Sequence, residues 1–331
     1  MLASLRQKKS RVAPALLSNA KRLFSAGKYH LLKTDIKDNV LWVTFNRPET
    51  FNSMTAEMGD HLCKVIQQVN EQGELSGSQN GGSIKALVFT GAGKAFSSGG
   101  DSGFLLDRTK TSVCKNMQQM DSFYEKFLSI RKSSGTSSFI SSLLALRCYS
   151  TWLPHIFSPS FVRHLPHSPV VPTIAAINGP CVGAGACFAL ACDIRVMSSD
   201  AYIGFVFSKL GLHPGLGATH FLPKLVGPQH ANKLLLTGDS VDSATSLSMG
   251  LVSEVVDTAN LFDVVGSLAK KIVANESVAT TTLLRTLRAQ QDVGLGAALA
   301  HEAEMQAHCY NDPIFKANVV KFIEKSSKAN K

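Results

Sequence analysis

Residues 177–193 read INGPCVGAGACFALACD. A glycine-containing turn runs straight into a helix of small residues, a layout that presents free backbone N–H groups to an anion. No carboxylate stands among those donors. Chemistry built on this stretch has to find its acid elsewhere.

The flanks set the fold class. Upstream, TIAAING (173–179) is a short apolar strand, and downstream DIRVMSSDAYIG (193–204) supplies another with a turn. Further upstream, IKALVFTGAG (84–93) is an apolar strand ending in glycine, and VLWVTFNRP (40–48) alternates as a strand closed by Pro48. Between those two, Thr55 to Asn70 has helical spacing at Met58, Leu62, Val65, Ile66 and Val69. Strands alternating with helices predict an α/β layered core over residues 31–258. From Asn260 onward the pattern is helical, so residues 259–331 are expected to form an α-helical appendage.

With 331 residues and 44% hydrophobic content, the chain can bury a sizeable core. Its longest apolar runs, such as 142–146 and 169–177, fall well short of the roughly 18–20 residues that span a bilayer, so no membrane helix is expected. The net charge of +10 resembles a nucleic-acid signal until it is located. Of 34 Lys and Arg, seven lie in residues 1–30 and four in 129–168, stretches with no acid, which leaves 23 against 24 acids elsewhere. A nearly neutral core argues against a nucleic-acid groove. The first thirty residues are basic and acid-free, with Leu2, Leu5, Val12, Leu16 and Leu17 available for one helical face, the composition of a mitochondrial transit peptide. RLFSAG places a processing point near Phe24–Ser25, and a disordered basic tail is the other reading. The expected compartment is the mitochondrial matrix, whose reducing conditions suit seven cysteines with no CxxC pair. Cys181, Cys187 and Cys192 are spaced for packing rather than for metal ligation, and no metal is expected.

The stretch 129–168 reads as an insertion. Eleven of its forty residues are serine, and it lacks both acids and a clear period. A lid, a membrane-touching loop built on Trp152, Phe157 and Phe161, and unspliced intron sequence all stay open.

The ordered blocks FNRPETFNSM, LVFTGAGKAFSSGGD, PTIAAINGPCVGAGACFALACDIRV, KLGLHPGLGATHFLPKLVG, LLLTGDSVDSATSLSMGLVSEVV and FIEKSSK resemble the enoyl-CoA hydratase/isomerase (crotonase) superfamily. The resemblance covers about residues 31–128 and 169–328. It implies a crotonase-like ββα spiral with a C-terminal α-helical trimerisation region, assembled as a homotrimer or hexamer. It also implies an acyl-CoA thioester substrate in mitochondrial fatty-acid or acyl-CoA metabolism, with coenzyme A as part of the substrate and no separate cofactor. The shared chemistry is an oxyanion hole of two backbone N–H groups, matched here by Gly100 and Ala184.

The carboxylates of the main branches are missing. Hydratases of the family carry glutamates at the positions of Cys187 and Phe207, and other branches use an acid at that of Gly215. His213, in GLHPGLG, is the nearest replacement acid/base in the sequence, and Cys187 is a second candidate whose apolar neighbours favour packing. Ser98, Asp101, Cys187, Phe207, Gly215, Phe322 and Lys325 are the candidates for the substrate site. Asp101 is expected to fix the loop after Gly100 and Asp193 to pair with a cation, while Phe322 and Lys325 match positions that meet the CoA adenine and phosphate. Three readings follow: an enzyme with a relocated acid/base, an oxyanion-hole enzyme whose substrate supplies the anion, as in acyl-CoA decarboxylation, or an inactive binding or assembly protein of the kind that in one branch binds RNA.

Overall fold

The computed structural model describes residues 29–75, 84–131 and 171–329. Residues 1–28, on which the transit-peptide reading falls, lie outside the described residues, as do 76–83, 330–331 and 132–170, which hold most of the expected insertion. The described residues form the strands β1 (Leu32–Lys37), β2 (Val40–Phe45), β3 (Ala86–Gly91), β4 (Thr173–Ile177), β5 (Cys181–Val182), β6 (Ile194–Ser198), β7 (Tyr202–Gly204), β8 (Ser240–Asp242) and β9 (Glu254–Val256). Six form a sheet in the order β1-β2-β3-β4-β6-β9, parallel throughout except for the β1–β2 hairpin. A smaller sheet runs β5-β7-β8.

The helices are α1 (Ala56–Leu75), α2 (Ser102–Arg108), α3 (Val113–Phe127), α4 (Ala184–Ala191), α5 (Phe207–Leu210) and α6 (Ala218–Thr237), then α7 (Ser243–Ser248), α8 (Leu261–Val273), α9 (Ser277–Gln291), α10 (Leu295–Tyr310) and α11 (Pro313–Ala329). The chain climbs as a spiral. From β4 in the large sheet it passes to β5 in the small one and into α4, then repeats with β6, β7 and α5. Isolated bridges Met54–Gly100 and Ser97–Cys181 carry the small sheet's pairing back to the loops after β2 and β3.

Alternation along the central strands sorts the core into two layers. Ala86 and Val88 of β3 face the cluster that takes in Leu261, Val265 and Ala269 of α8. Leu87 and Phe89 face the larger cluster, which includes Met58, Leu62, Val65, Ile66 and Val69 of α1, the five positions picked out by helical spacing. At its centre Phe188 meets Phe45, Phe89 and Phe127 edge-on, with ring centroids 5.2, 5.1 and 6.3 Å away. Helix α8 therefore covers one face of the large sheet. The C-terminal region is a wall of the core rather than an appendage, because a parallel sheet must bury both faces.

The start of the insertion also moves. Ser129, Ile130 and Arg131 are buried. Arg131 donates to Asp292 (Nη2 to Oδ1, 2.7 Å) and to the Ala191 carbonyl (3.0 Å). Arg288 donates to the carbonyls of both Ile130 (3.1 Å) and Val171 (3.3 Å), so one guanidinium holds the two ends of the described chain that flank the insertion.

Candidate active site

The two candidate donors stand in the loop after β3 and at the start of α4, directly after β5. Gly99 (φ +101°) and Gly183 (φ +54°) adopt backbone conformations that favour glycine. A Cβ on Gly99 would sit 3.0 Å from the Val182 oxygen and 3.4 Å from the Ala184 nitrogen, so the two loops touch backbone to backbone. Around Gly100 the bridge bonds run from Met54 N–H to the Gly99 carbonyl (2.7 Å) and from Asp101 N–H to the Met54 carbonyl (3.0 Å). The Gly100 N–H consequently faces away from Met54, toward the other side of the strand. Ala184 is the first residue of α4 and has no intrahelical partner for its N–H; Gly183 offers no side-chain cap. The positive end of α4 lies there.

Both residues line a cavity of about 900 Å³ together with Ser98 and Phe207. Its walls are apolar and aromatic: Phe104 of α2 stacks on Phe123 of α3 at 5.2 Å, and Met120, Leu212, Leu216 and Tyr310 complete the interior. One polar pair breaks that lining. Tyr124 Oη donates to Gln306 Oε1 (2.8 Å), and Gln306 Nε2 donates to the His213 carbonyl (2.8 Å). Burial, reinforced by Tyr310 and Glu302 nearby, pushes the Tyr124 phenol well above its ordinary 10.0. It is a neutral donor at physiological pH.

The positions where the resemblance implies acids come out differently. A Cβ on Gly215 would fall 2.1 Å from Tyr124 Oη, so the phenol fills the space where a side chain would project. Phe207 lines the cavity. Cys187 is fully buried inside α4 and does not line it; burial, then the charge of Glu302, drives its thiol well above its ordinary value, which makes it inert packing. Nor does His213 line the cavity: its Nδ1 lies 2.6 Å from the Pro214 carbonyl, its ring meets His301 edge-on, and burial lowers its pKa. The interior thus receives the backbone of the His213 loop and not its imidazole. Glu302, also outside the lining, accepts from Gly217 N–H (2.7 Å), Thr219 N–H (2.8 Å) and Thr219 Oγ1 (2.5 Å), capping α6 from another helix.

Asp101 positions the donor loop. Its carboxylate caps α2 through Gly103 N–H (3.0 Å) and accepts from Arg47 Nη1 (3.0 Å) and Ser53 Oγ (3.1 Å). Burial raises its pKa, but hydrogen bonds from Arg47, Ser53 and Phe104 outweigh burial and hold it below the ordinary 3.8. Ser98 donates through Oγ to the Thr50 carbonyl (3.0 Å), tying the same loop to the turn after β2. Asp193 lies at the other end of α4, where Arg288 binds it with Nη2–Oδ2 at 2.6 Å. At the cavity mouth α11 folds over its own chain, bringing Lys321, Phe322, Glu324 and Lys325 beside Lys209. Among the described residues that line the cavity, Glu324 is the single carboxylate, and no histidine is present.

Tyr124 and Gln306 escaped the sequence reading. The signal for α3 was available, since Met120, Phe123, Tyr124 and Phe127 recur at helical spacing after the Ser112 cap. Nothing in the sequence pairs Tyr124 with a residue so far along the chain.

The sequence model of the family described as enoyl-CoA hydratase/isomerase matches residues 35–133 and 161–330. The chain belongs to the enoyl-CoA hydratase/isomerase family. The gap between the two matched stretches, 134–160, falls inside the insertion. The short-chain-enoyl-CoA hydratase of Clostridium acetobutylicum is 28% identical over 284 residues, 86% of this chain and 90% of that protein. The (E)-benzylidenesuccinyl-CoA hydratase of Thauera aromatica is 30% identical over 241 residues, 72% of this chain and 75% of that one. A crystal structure of an enoyl-CoA hydratase/isomerase from Mycobacterium paratuberculosis matches with a TM-score of 0.68 at 21% identity, covering 88% of this chain and 98% of that one, which shows the shared crotonase fold. The protein is an enzyme of the hydratase/isomerase type.

Proposed function

We propose that the protein binds an acyl-CoA thioester with its carbonyl oxygen between the Gly100 and Ala184 N–H groups and stabilises an enolate formed there without a carboxylate base. One observation carries this reading: both amides border an apolar cavity whose interior, among the described residues, holds a neutral phenol–amide pair and neither carboxylate nor imidazole. An oxyanion donor is worth about 10²–10³ in rate. A phenol that stays protonated can give a proton to carbon and is ill suited to remove one. The reaction that fits is loss of CO₂ from a carboxyacyl-CoA. The electrons of the breaking C–C bond pass to the thioester oxygen, and a proton delivered through Tyr124, itself resupplied by water, closes the carbon. Hydration by a pair of glutamates finds no such pair among the described residues that line the cavity. Lys209, Lys321 and Lys325 at the mouth suit CoA phosphates. The aromatic walls suit a bulky acyl group. The basic first thirty residues support a mitochondrial matrix location, and the family resemblance supports a trimer.

The test offers purified protein carboxyacyl-CoA, enoyl-CoA, dienoyl-CoA and hydroxyacyl-CoA thioesters in D₂O with mass detection. A carboxyacyl-CoA should lose CO₂ and gain one deuterium, while crotonyl-CoA hydration is slow or absent. Hydration of crotonyl-CoA at ordinary enzyme rates would refute the base-free reading.

A further inference from the structure

His30, Glu57 and His61 converge at the start of helix α1, and none of them lines the cavity. Glu57 and His61 stand four residues apart on one face of α1, and His30 arrives from the segment ahead of β1. Glu57 Oε1 lies 3.5 Å from His30 Nε2 and 4.0 Å from His61 Nε2, and the three candidate ligand atoms all fall within 4.8 Å of one another.

These separations exceed the roughly 2.7–3.2 Å of an N–H···O hydrogen bond. They sit closer to the edges of a tetrahedral shell, about 3.3–3.4 Å for bonds of about 2.0–2.1 Å. The side chains of His30 and Glu57 are 68% and 61% exposed, so both can rotate inward without disturbing the core. That of His61 is only 12% exposed, and its Nδ1 is buried without a hydrogen-bond partner among the described residues. No hydrogen bond therefore commits its other nitrogen, Nε2, to being a donor, and that atom faces the carboxylate across a gap. Asp60, the next acid on the helix, is taken by Lys126 Nζ at 2.8 Å, which leaves a fourth position to water.

We infer that His30, Glu57 and His61 form a binding site for a divalent transition-metal ion of the zinc class, two imidazoles and one carboxylate completed by solvent. The ion would clamp the segment ahead of β1 onto α1, whose first turn follows the Met54–Gly100 bridge. This is a structural role, separate from the cavity chemistry. The cysteine spacing that argues against a metal says nothing about this set.

The test uses the full chain, stripped with a chelator and titrated with zinc chloride by calorimetry, beside His30→Ala and Glu57→Gln. Both substitutions alter exposed side chains and leave the core intact. Wild type should take up one saturable equivalent more tightly than either variant by at least about ten-fold, the loss that even an outer-shell partner's removal causes. Zinc should also raise the melting temperature of wild type and not of the variants. Zinc uptake that is equal in all three proteins, or absent from wild type, would leave the cluster a plain ion pair and overturn the proposal.

Discussion

Tyr124 fills the space into which a side chain at residue 215 would project, the position where the resemblance implies an acid in other branches. Its hydroxyl is buried, donates to Gln306 and resists ionisation. Tyr124→Phe should leave thioester binding intact and lower turnover about 10²–10⁴-fold, the usual worth of a general acid. It also strands the Gln306 carbonyl oxygen, at about 1–3 kcal/mol of stability. Because its pKa lies above 10.0, Tyr124 should put no alkaline limb on the rate profile below that pH. A merely structural tyrosine would lower stability and leave turnover unchanged. Asp101 works through the Gly100 loop instead. With its folded pKa depressed below 3.8, it contributes stability that is present above that value and lost as pH falls through the folded pKa. Asp101→Asn should therefore cost about 1–3 kcal/mol near neutrality and flatten the acid limb below about pH 4, as read by urea titration across pH. An unchanged acid limb would show that the Arg47–Asp101 pair does not hold the loop.

Among the elements, α1, β2, β3 and β4 were legible because periodicity and composition agree there, and the buried residues of α1 are those the spacing selects. The short strands β5, β8 and β9 were not, since two or three residues carry no period. Sequence composition separated helix from sheet at residue 259, but only the tertiary fold reveals that α8 seals the sheet. Gly100 and Ala184 could be picked out from their blocks and both border the cavity, whereas the Tyr124–Gln306 pair depends on contact between α3 and α10. Arg288 settles how the insertion must be cut. Replacing residues 134–168 by a short flexible linker should preserve folding, with a melting temperature within a few degrees, because the flanking carbonyls of Ile130 and Val171 are already held by one side chain. A cut that begins at Ser129 removes Arg131 and leaves Asp292 without that partner, so it should destabilise by about 3–5 kcal/mol. If the shorter deletion also failed to fold, the segment would belong to the core.

At the scale of the whole molecule, the large sheet holds the spiral, the small sheet aligns the two donor loops, and the C-terminal helices close the cavity from outside. Each layer serves one arrangement: two backbone N–H groups at the edge of an apolar chamber, in contact through Gly99 and Gly183. Such donors need no particular side chain, so the proposed cradle rests on backbone geometry alone. The decisive measurement is single-turnover kinetics of Gly100→Pro against wild type on the thioester that wild type converts best, with binding followed by calorimetry. Proline removes one N–H, so turnover should fall about 10²–10³-fold while the thioester still binds. An unchanged turnover rate in a folded Gly100→Pro protein would contradict the account.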